Sequence, residues 1–273
     1  MNALLGASSV RQLLRSNGIT PKRTWGQSFV IDPNTIEKIV GLAAIEPVDS
    51  VLEIGAGVGS LTLGLAGAAR RVVAVEKDPR LARVVAEIAA GAAVEVVEGD
   101  ALELALGSFG TSKCVSNLPY SVGARIVLRV LATAPAISEL TVVVQKEVGA
   151  RLAAAPGSKV YGASSVLVAA YADATVAGSV SRRAFWPVPH VDSVVVKLRR
   201  HETPAATDSL ETVVRAAFSQ RRKSLRNSLA AVAGGSEAAA AALEAAGVAP
   251  QARAEELSLE QFLSVGGRLE AQR

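Results

Sequence analysis

The chain has one cysteine, Cys114, and two histidines, His190 and His201, in 273 residues. A single thiol excludes an intramolecular disulfide and, with so few imidazoles, argues against a His/Cys metal centre, so no metal is expected. Cys114 sits in an apolar run, where a free cysteine behaves as an inert small hydrophobe. No window reaches eighteen uninterrupted apolar residues, because charges and glycines interrupt even the alanine-rich stretches. No membrane span is therefore expected, while a hydrophobic content of 50% provides for a sizeable core. Residues 1–26 contain no acid, and Arg11, Arg15, Lys22 and Arg23 give them a charge of +4. An acid-free start with arginines and serines also reads as an organellar transit peptide. Val10, Leu13 and Leu14, followed by Gly18, favour an amphipathic helix instead.

The net charge of +4 hides a segregation. Residues 182–226 hold ten Lys or Arg against Asp192, Glu202, Asp208 and Glu211, and outside these two segments the chain is net acidic. Two basic segments on an acidic body suit a polyanion-binding surface, with a pair of solvated faces as the alternative.

Short β-branched runs alternate with helix-length stretches: "SVLEIG" (50–55), "RVVAVE" (71–76), "AVEVVEGD" (93–100), "KCVSNL" (113–118) and "ELTVVVQ" (139–145). This pattern predicts an α/β fold with a doubly wound, mostly parallel sheet, in which ligands bind beyond the carboxyl ends of the strands. "SSVLVAAYA" (164–172) and "DSVVVKL" (192–198) are expected to add an antiparallel pair at one edge. "RHETPAATD" (200–208) reads as a linker, which places a first domain at 1–200 and a small α-helical domain at 201–273.

Directly after the first strand comes "GAGVGS", with Gly55, Gly57 and Gly59. A pyrophosphate loop requires G-x-G-x-x-G, and Ser60 stands where its third glycine belongs. The pattern G-x-G-x-G after Glu53 resembles the first motif of the S-adenosylmethionine-dependent methyltransferases. Glu76 ends the second strand, where a carboxylate can accept from both ribose hydroxyls of an adenosine; the alternative is a helix-start acid before Pro79. Asp100, at the next strand tip, could accept from an adenine amino group.

The fourth strand ends in "SNLPYS". An exocyclic adenine nitrogen is a poor nucleophile because its lone pair is delocalised into the ring. Two acceptors, the Asn117 side-chain oxygen and the Leu118 carbonyl, can bind its two hydrogens and favour a more tetrahedral nitrogen in the transition state. Pro119 stiffens the loop, and Tyr120 offers a ring for an unstacked base. The alternative is a proline turn beside a core tyrosine.

Taken in order, "WGQSFVID", "LEIGAGVGSLT", "VEKD", "GDA", "SNLPYS", "QKEV", "FWPVPHVDSVVVKL" and "FSQRRKSLRNSL" resemble the KsgA-type ribosomal RNA small-subunit adenine N6,N6-dimethyltransferases, over about residues 10–265. The resemblance implies a methyltransferase that uses S-adenosylmethionine and dimethylates two adjacent adenosines in a hairpin loop near the 3′ end of small-subunit rRNA. It also implies a part in ribosome biogenesis. The cofactor would be held by Ser28, Val30, Gly55, Gly57, Glu76, Asp100 and Asn117, and Phe185 would face the base opposite Tyr120. Ser28 stands where members usually carry Asn or His, Trp25 replaces Phe or Leu, and Ser121 follows the N-L-P-Y tetrad where Asn is common. Arg221, Arg222, Lys223 and Arg226, with Lys22 and Arg23, are the RNA-binding candidates. Val214, Phe218, Leu225 and Leu229 are expected on one apolar helical face, with the first four projecting elsewhere. The expected partner is the 30S particle, and the protein is expected to be a cytoplasmic monomer. Two alternatives stand beside this reading: an Erm-type 23S rRNA adenine methyltransferase and a non-catalytic RNA-binding assembly factor of the same fold.

Overall fold

Runs of β-branched residues flanked by glycine, proline or acids form the strands, and the computed structural model describes residues 4–22, 26–220 and 222–271. The strands are β1 (Phe29–Val30), β2 (Ser50–Ile54), β3 (Arg71–Glu76), β4 (Val94–Glu98), β5 (Lys113–Asn117), β6 (Glu139–Gln145), β7 (Ala172–Val180), β8 (Phe185–Trp186) and β9 (Ser193–Arg200). The first helices are α1 (Ala7–Ser16), α2 (Pro33–Ala43), α3 (Ser60–Ala66), α4 (Pro79–Ile88), α5 (Gly123–Thr133), α6 (Lys146–Leu152) and α7 (Ala163–Ala169). They are followed by α8 (Asp208–Ser219), α9 (Leu225–Ser228), α10 (Ala230–Ala233), α11 (Ser236–Ala245) and α12 (Leu259–Ala271).

A seven-stranded sheet has the order β4-β3-β2-β5-β6-β9-β7. Strands β2 to β6 pair in parallel, and β9 pairs with β6 antiparallel. The order reverses between β2 and β5, which makes a crevice above those strand ends. Every residue of β2 is buried, as expected for a parallel strand covered on both faces. A two-stranded ribbon of β1 and β8 pairs Phe29 with Trp186 and Val30 with Phe185.

The chain divides into two compact units, one of Met1–Gly149 with Ala174–Arg200, the other of Ala150–Asp173 with His201–Arg273. The second unit takes in residues 150–173, which the sequence reading places in a domain running from 1 to 200. In the first unit, Val10 and Leu14 of α1 are buried against Phe29, Leu81 and Val84. Helix α1 stops where Gly18 turns at φ +61°, and Ile19 N–H donates back to the Leu14 carbonyl at 2.8 Å. Asp32 and Asp78 cap α2 and α4, each followed by a proline in the first turn.

The second unit corrects two expectations and refines a third, since the chain passes between its two units at Arg200 and His201, where the linker is expected. Most of "SSVLVAAYA" does not continue the sheet, because Ala163–Ala169 is the helix α7; only its last residue, Ala172, opens β7, which lies beside β9 at the sheet edge. The expected linker is tied down, with His201 and Ala205 N–H groups donating to the carbonyls of Tyr171 and Ala170. "FSQRRKSLRNSL" is not one helix, since α8 ends at Ser219 and α9 begins at Leu225. Leu225 and Arg226 N–H groups are taken by the carbonyls of Ala252 and Pro250, so the backbone cannot continue the helical ladder there. Val214, Leu225 and Leu229 are all buried nonetheless. Phe218 packs between the rings of Tyr161 and Phe262, with centroids 6.1 and 5.9 Å away.

Candidate active site at the strand tips

A cavity of about 250 Å³ lies within the first unit at the carboxyl ends of β2, β3, β4 and β5. Gly55, Gly57, Glu76, Asp100, Asn117 and Leu118 all line it. The glycine loop leaves β2 with its backbone turned left-handed, at φ +61° for Gly57. A methyl group added at Gly57 would lie 2.7 Å from the Phe29 ring, so only glycine fits beneath β1.

Glu76 ties this loop to the next strand tip. Its Oε2 accepts from Gly57 N–H at 2.8 Å and its Oε1 from Asp78 N–H at 2.9 Å, and the Lys77 backbone donor also faces the carboxylate, which lines the cavity. Burial raises its pKa above the ordinary carboxylate value, with the backbone donors opposing that shift. Glu53 is 1% exposed and also lines the cavity; its Oε2 accepts from the Thr62 hydroxyl at 2.6 Å. Burial pushes Glu53 up to about 8, against the Thr62 hydrogen bond and with the help of the Glu76 charge. Asp100 pairs with Lys77 at 2.6 Å and accepts from Leu102 N–H at 2.9 Å, and Lys77 holds its carboxyl below the usual range. Neither Glu53 nor Lys77 was singled out as a site residue by sequence. Glu53 could have been, as the acid heading the glycine loop, whereas the Lys77–Asp100 pair joins residues 23 apart and leaves no pattern.

The N-L-P-Y loop supplies the other wall. Asn117 Nδ2 donates to the Ser28 carbonyl at 2.9 Å, and its Oδ1 is buried with no partner. Among the described residues nothing donates to the Leu118 carbonyl, while Leu118 N–H holds the strand through the Val143 carbonyl at 3.1 Å. The wall runs through Leu118, Pro119 and Ser121 and not through the Tyr120 ring. Tyr120 is partly buried with its hydroxyl on Ser193 Oγ, and burial raises its pKa. Gly26 presses on the same loop: at φ +69°, an added methyl would lie 2.8 Å from Tyr120 N.

Phe185 does not line the cavity. It is fully buried in the core with Val30, Ile36 and Ile39. Val30 borders the cavity from that core, and Ser28 borders it with its hydroxyl engaged by the Pro187 carbonyl at 2.8 Å. Cys114 is buried and its thiol is pushed up to about 12, in keeping with an inert role. Arg23, Trp25 and Arg221 lie outside the described residues. Lys22 pairs with Asp78 at 3.6 Å, Arg226 pairs with Glu237, and Arg222 and Lys223 are exposed between α8 and α9. No helix among the described residues is long and apolar enough to cross a membrane, and no group of acids, histidines and cysteine there could hold a metal ion.

Comparison with known proteins accounts for this arrangement. The model of the family "Ribosomal RNA adenine dimethylase" matches residues 19–270. The chain belongs to the ribosomal RNA adenine dimethylase family. It is 48% identical to the ribosomal RNA small subunit methyltransferase A of Leifsonia xyli subsp. xyli, over 97% of this chain and 98% of that protein. Among solved members of this fold, a dimethyladenosine transferase from Plasmodium falciparum superposes with a TM-score of 0.73 at 26% identity, covering 86% of this chain and 94% of that one. The 23S rRNA methyltransferase ErmE superposes with a TM-score of 0.63 at 30% identity, covering 89% and 99%. The chain is thus an α/β methyltransferase of this family with a helical C-terminal part.

Proposed function

We propose that the chain transfers methyl groups from S-adenosylmethionine to N6 of two adjacent adenosines in a hairpin loop near the 3′ end of small-subunit rRNA. It acts as a cytoplasmic monomer on the 30S particle. The observation that carries this reading is the pair of acceptors above β5. Asn117 Oδ1 is buried without a partner, and an unsatisfied buried acceptor costs about 1–3 kcal/mol. A bound amino group that donates to Oδ1 and to the Leu118 carbonyl satisfies both. These two acceptors then favour the tetrahedral nitrogen formed as the lone pair leaves conjugation.

The cavity suits the cofactor. Glu76 offers its carboxylate to ribose hydroxyls, Asp100 lies at the adjoining tip for the adenine, and the glycine loop lets backbone approach the ligand closely. Bound S-adenosylmethionine supplies a methyl group already activated as a sulfonium. The chain therefore contributes chiefly position and electrostatics: the N–C bond forms as the S–C bond breaks, and the proton shed by the methylated nitrogen passes to solvent, with no general base among the residues proposed to act. Tyr120 serves as the stacking surface for the extruded base, and Arg221, Arg222 and Lys223, with Lys22 and Arg23, contact RNA phosphates.

The ErmE likeness keeps a large-subunit substrate as the second reading, at 30% identity against 48% for the small-subunit relative. Transfer of labelled methyl from S-adenosylmethionine to purified subunits lacking the modification separates the two. Dimethyladenosine in small-subunit RNA is the expected product. Label in large-subunit RNA would move the assignment to the Erm type, and failure to bind S-adenosylmethionine would leave a non-catalytic assembly factor.

A further inference from the structure

Ser28 is tied at both its ends to elements far away in sequence. Its hydroxyl donates to the Pro187 carbonyl at 2.8 Å, across 159 positions. Its own carbonyl accepts from Asn117 Nδ2 at 2.9 Å, across 89 positions. The second bond fixes which way the Asn117 carboxamide points. A carbonyl can only accept, so the amide must turn its NH₂ end to Ser28, and its oxygen is driven to the other side, where it is buried without a partner. A rotated amide would set two oxygens against each other.

The first bond fixes where the Ser28 carbonyl sits. Residue 28 precedes β1, which is only two residues long and pairs with an equally short β8. Such a ribbon has few ladder bonds of its own to hold register. The Ser28 hydroxyl adds a cross-link one residue beyond the Phe29–Trp186 pair, on the side facing the N-L-P-Y loop.

We infer that Ser28 is a positioning residue for methyl transfer, which orients Asn117 through a Pro187–Ser28–Asn117 relay instead of holding the cofactor with its hydroxyl. The inference deepens the proposed function and rests on that reading for its kinetic consequence. Ser28 borders the cavity, but its hydroxyl proton is committed to the Pro187 carbonyl, and the residue contributes by fixing the amide behind it.

The test compares Ser28→Ala, Ser28→Thr, Asn117→Ala and the Ser28→Ala/Asn117→Ala double variant. Ser28→Ala should lower kcat by about 10- to 100-fold, the range for a small misplacement of a reacting group, while S-adenosylmethionine affinity by calorimetry stays unchanged. Ser28→Thr, which keeps the hydroxyl, should restore most of the rate. In the Asn117→Ala background, Ser28→Ala should have no further effect, because the relay has lost its end point. A readout independent of turnover is the exchange of the Asn117 side-chain NH₂ protons with solvent, followed by NMR on asparagine-labelled free protein. These protons should be protected in wild type and in Ser28→Thr and lose protection in Ser28→Ala. Loss of cofactor affinity in step with rate, additive effects in the double variant, or unchanged exchange would each overturn the relay. Absence of methyl transfer by wild type with intact Asn117 protection would instead refute the proposed function and leave the relay's geometry standing.

Discussion

Replacing Glu76 tests the cofactor site without RNA. Its carboxylate accepts backbone N–H groups, those of Gly57 and Asp78 among them, and Glu76 is 6% exposed at the end of β3. Hydrogen bonds to a charged group contribute about 1.5–3 kcal/mol, so loss of the ribose hydrogen bonds alone in Glu76→Ala should weaken S-adenosylmethionine by about 10- to 100-fold. The substitution also frees the Gly57 N–H and thereby loosens the loop that must approach the ligand. Glu76→Gln should be nearly as damaging, because its NH₂ end would face one of the backbone donors, which can only donate. Calorimetry on the free protein measures both variants, with thermal unfolding to show that they remain folded. Affinity within twofold of wild type for a folded Glu76→Ala would refute the assignment and return Glu76 to the role of a helix-start acid.

Glu53 makes a pH-dependent prediction. Its folded pKa of about 8 lies above the ordinary 4.5, so its contribution to stability is full below about 4.5 and is lost as pH rises through about 8. Glu53→Gln should therefore gain thermal stability relative to wild type between pH 5 and pH 8; parallel melting curves across that range would contradict the buried acid. For the basic segment, Arg221, Arg222 and Lys223 replaced together by alanine should weaken small-subunit binding. The log–log salt slope should become shallower by up to about 0.7–0.9 for each phosphate that is no longer neutralised, with cofactor affinity unchanged. Equal affinities with parallel slopes would remove this segment from the RNA surface.

The strand tips were legible because buried parallel strands read as β-branched runs that end abruptly in residues with chemistry. Glu76 and Asn117 are the last residues of β3 and β5, as the sequence implied. Elements outside the parallel core were harder to read. "SSVLVAAYA" has strand composition, but Ser165 Oγ accepts from Gly162 N–H at the start of a helix and is held by the Arg151 carbonyl, 14 positions back. Short apolar runs do not reveal such bonds. The burial of Phe185 is hidden from the sequence for a different reason. In a strand the side chains alternate, so pairing Phe185 with Val30 sends it into the core while Trp186 joins Phe29 on the opposite face. That register comes from the ribbon's partner strand, far away along the chain, and no local pattern encodes it. The Asn117–Ser28 bond is hidden in the same way, since it depends on a backbone carbonyl that any residue at position 28 would present.

The central claim is that the acceptors above β5 act on the adenine amino group in the chemical step. Single-turnover methyl transfer to unmodified small subunits by Asn117→Ala, measured beside calorimetric S-adenosylmethionine affinity, tests it most directly. Loss of such a transition-state partner typically lowers the rate by on the order of 100-fold or more, and cofactor affinity should fall far less. Transfer at a near wild-type rate, or a loss of rate fully matched by loss of affinity, would contradict the account.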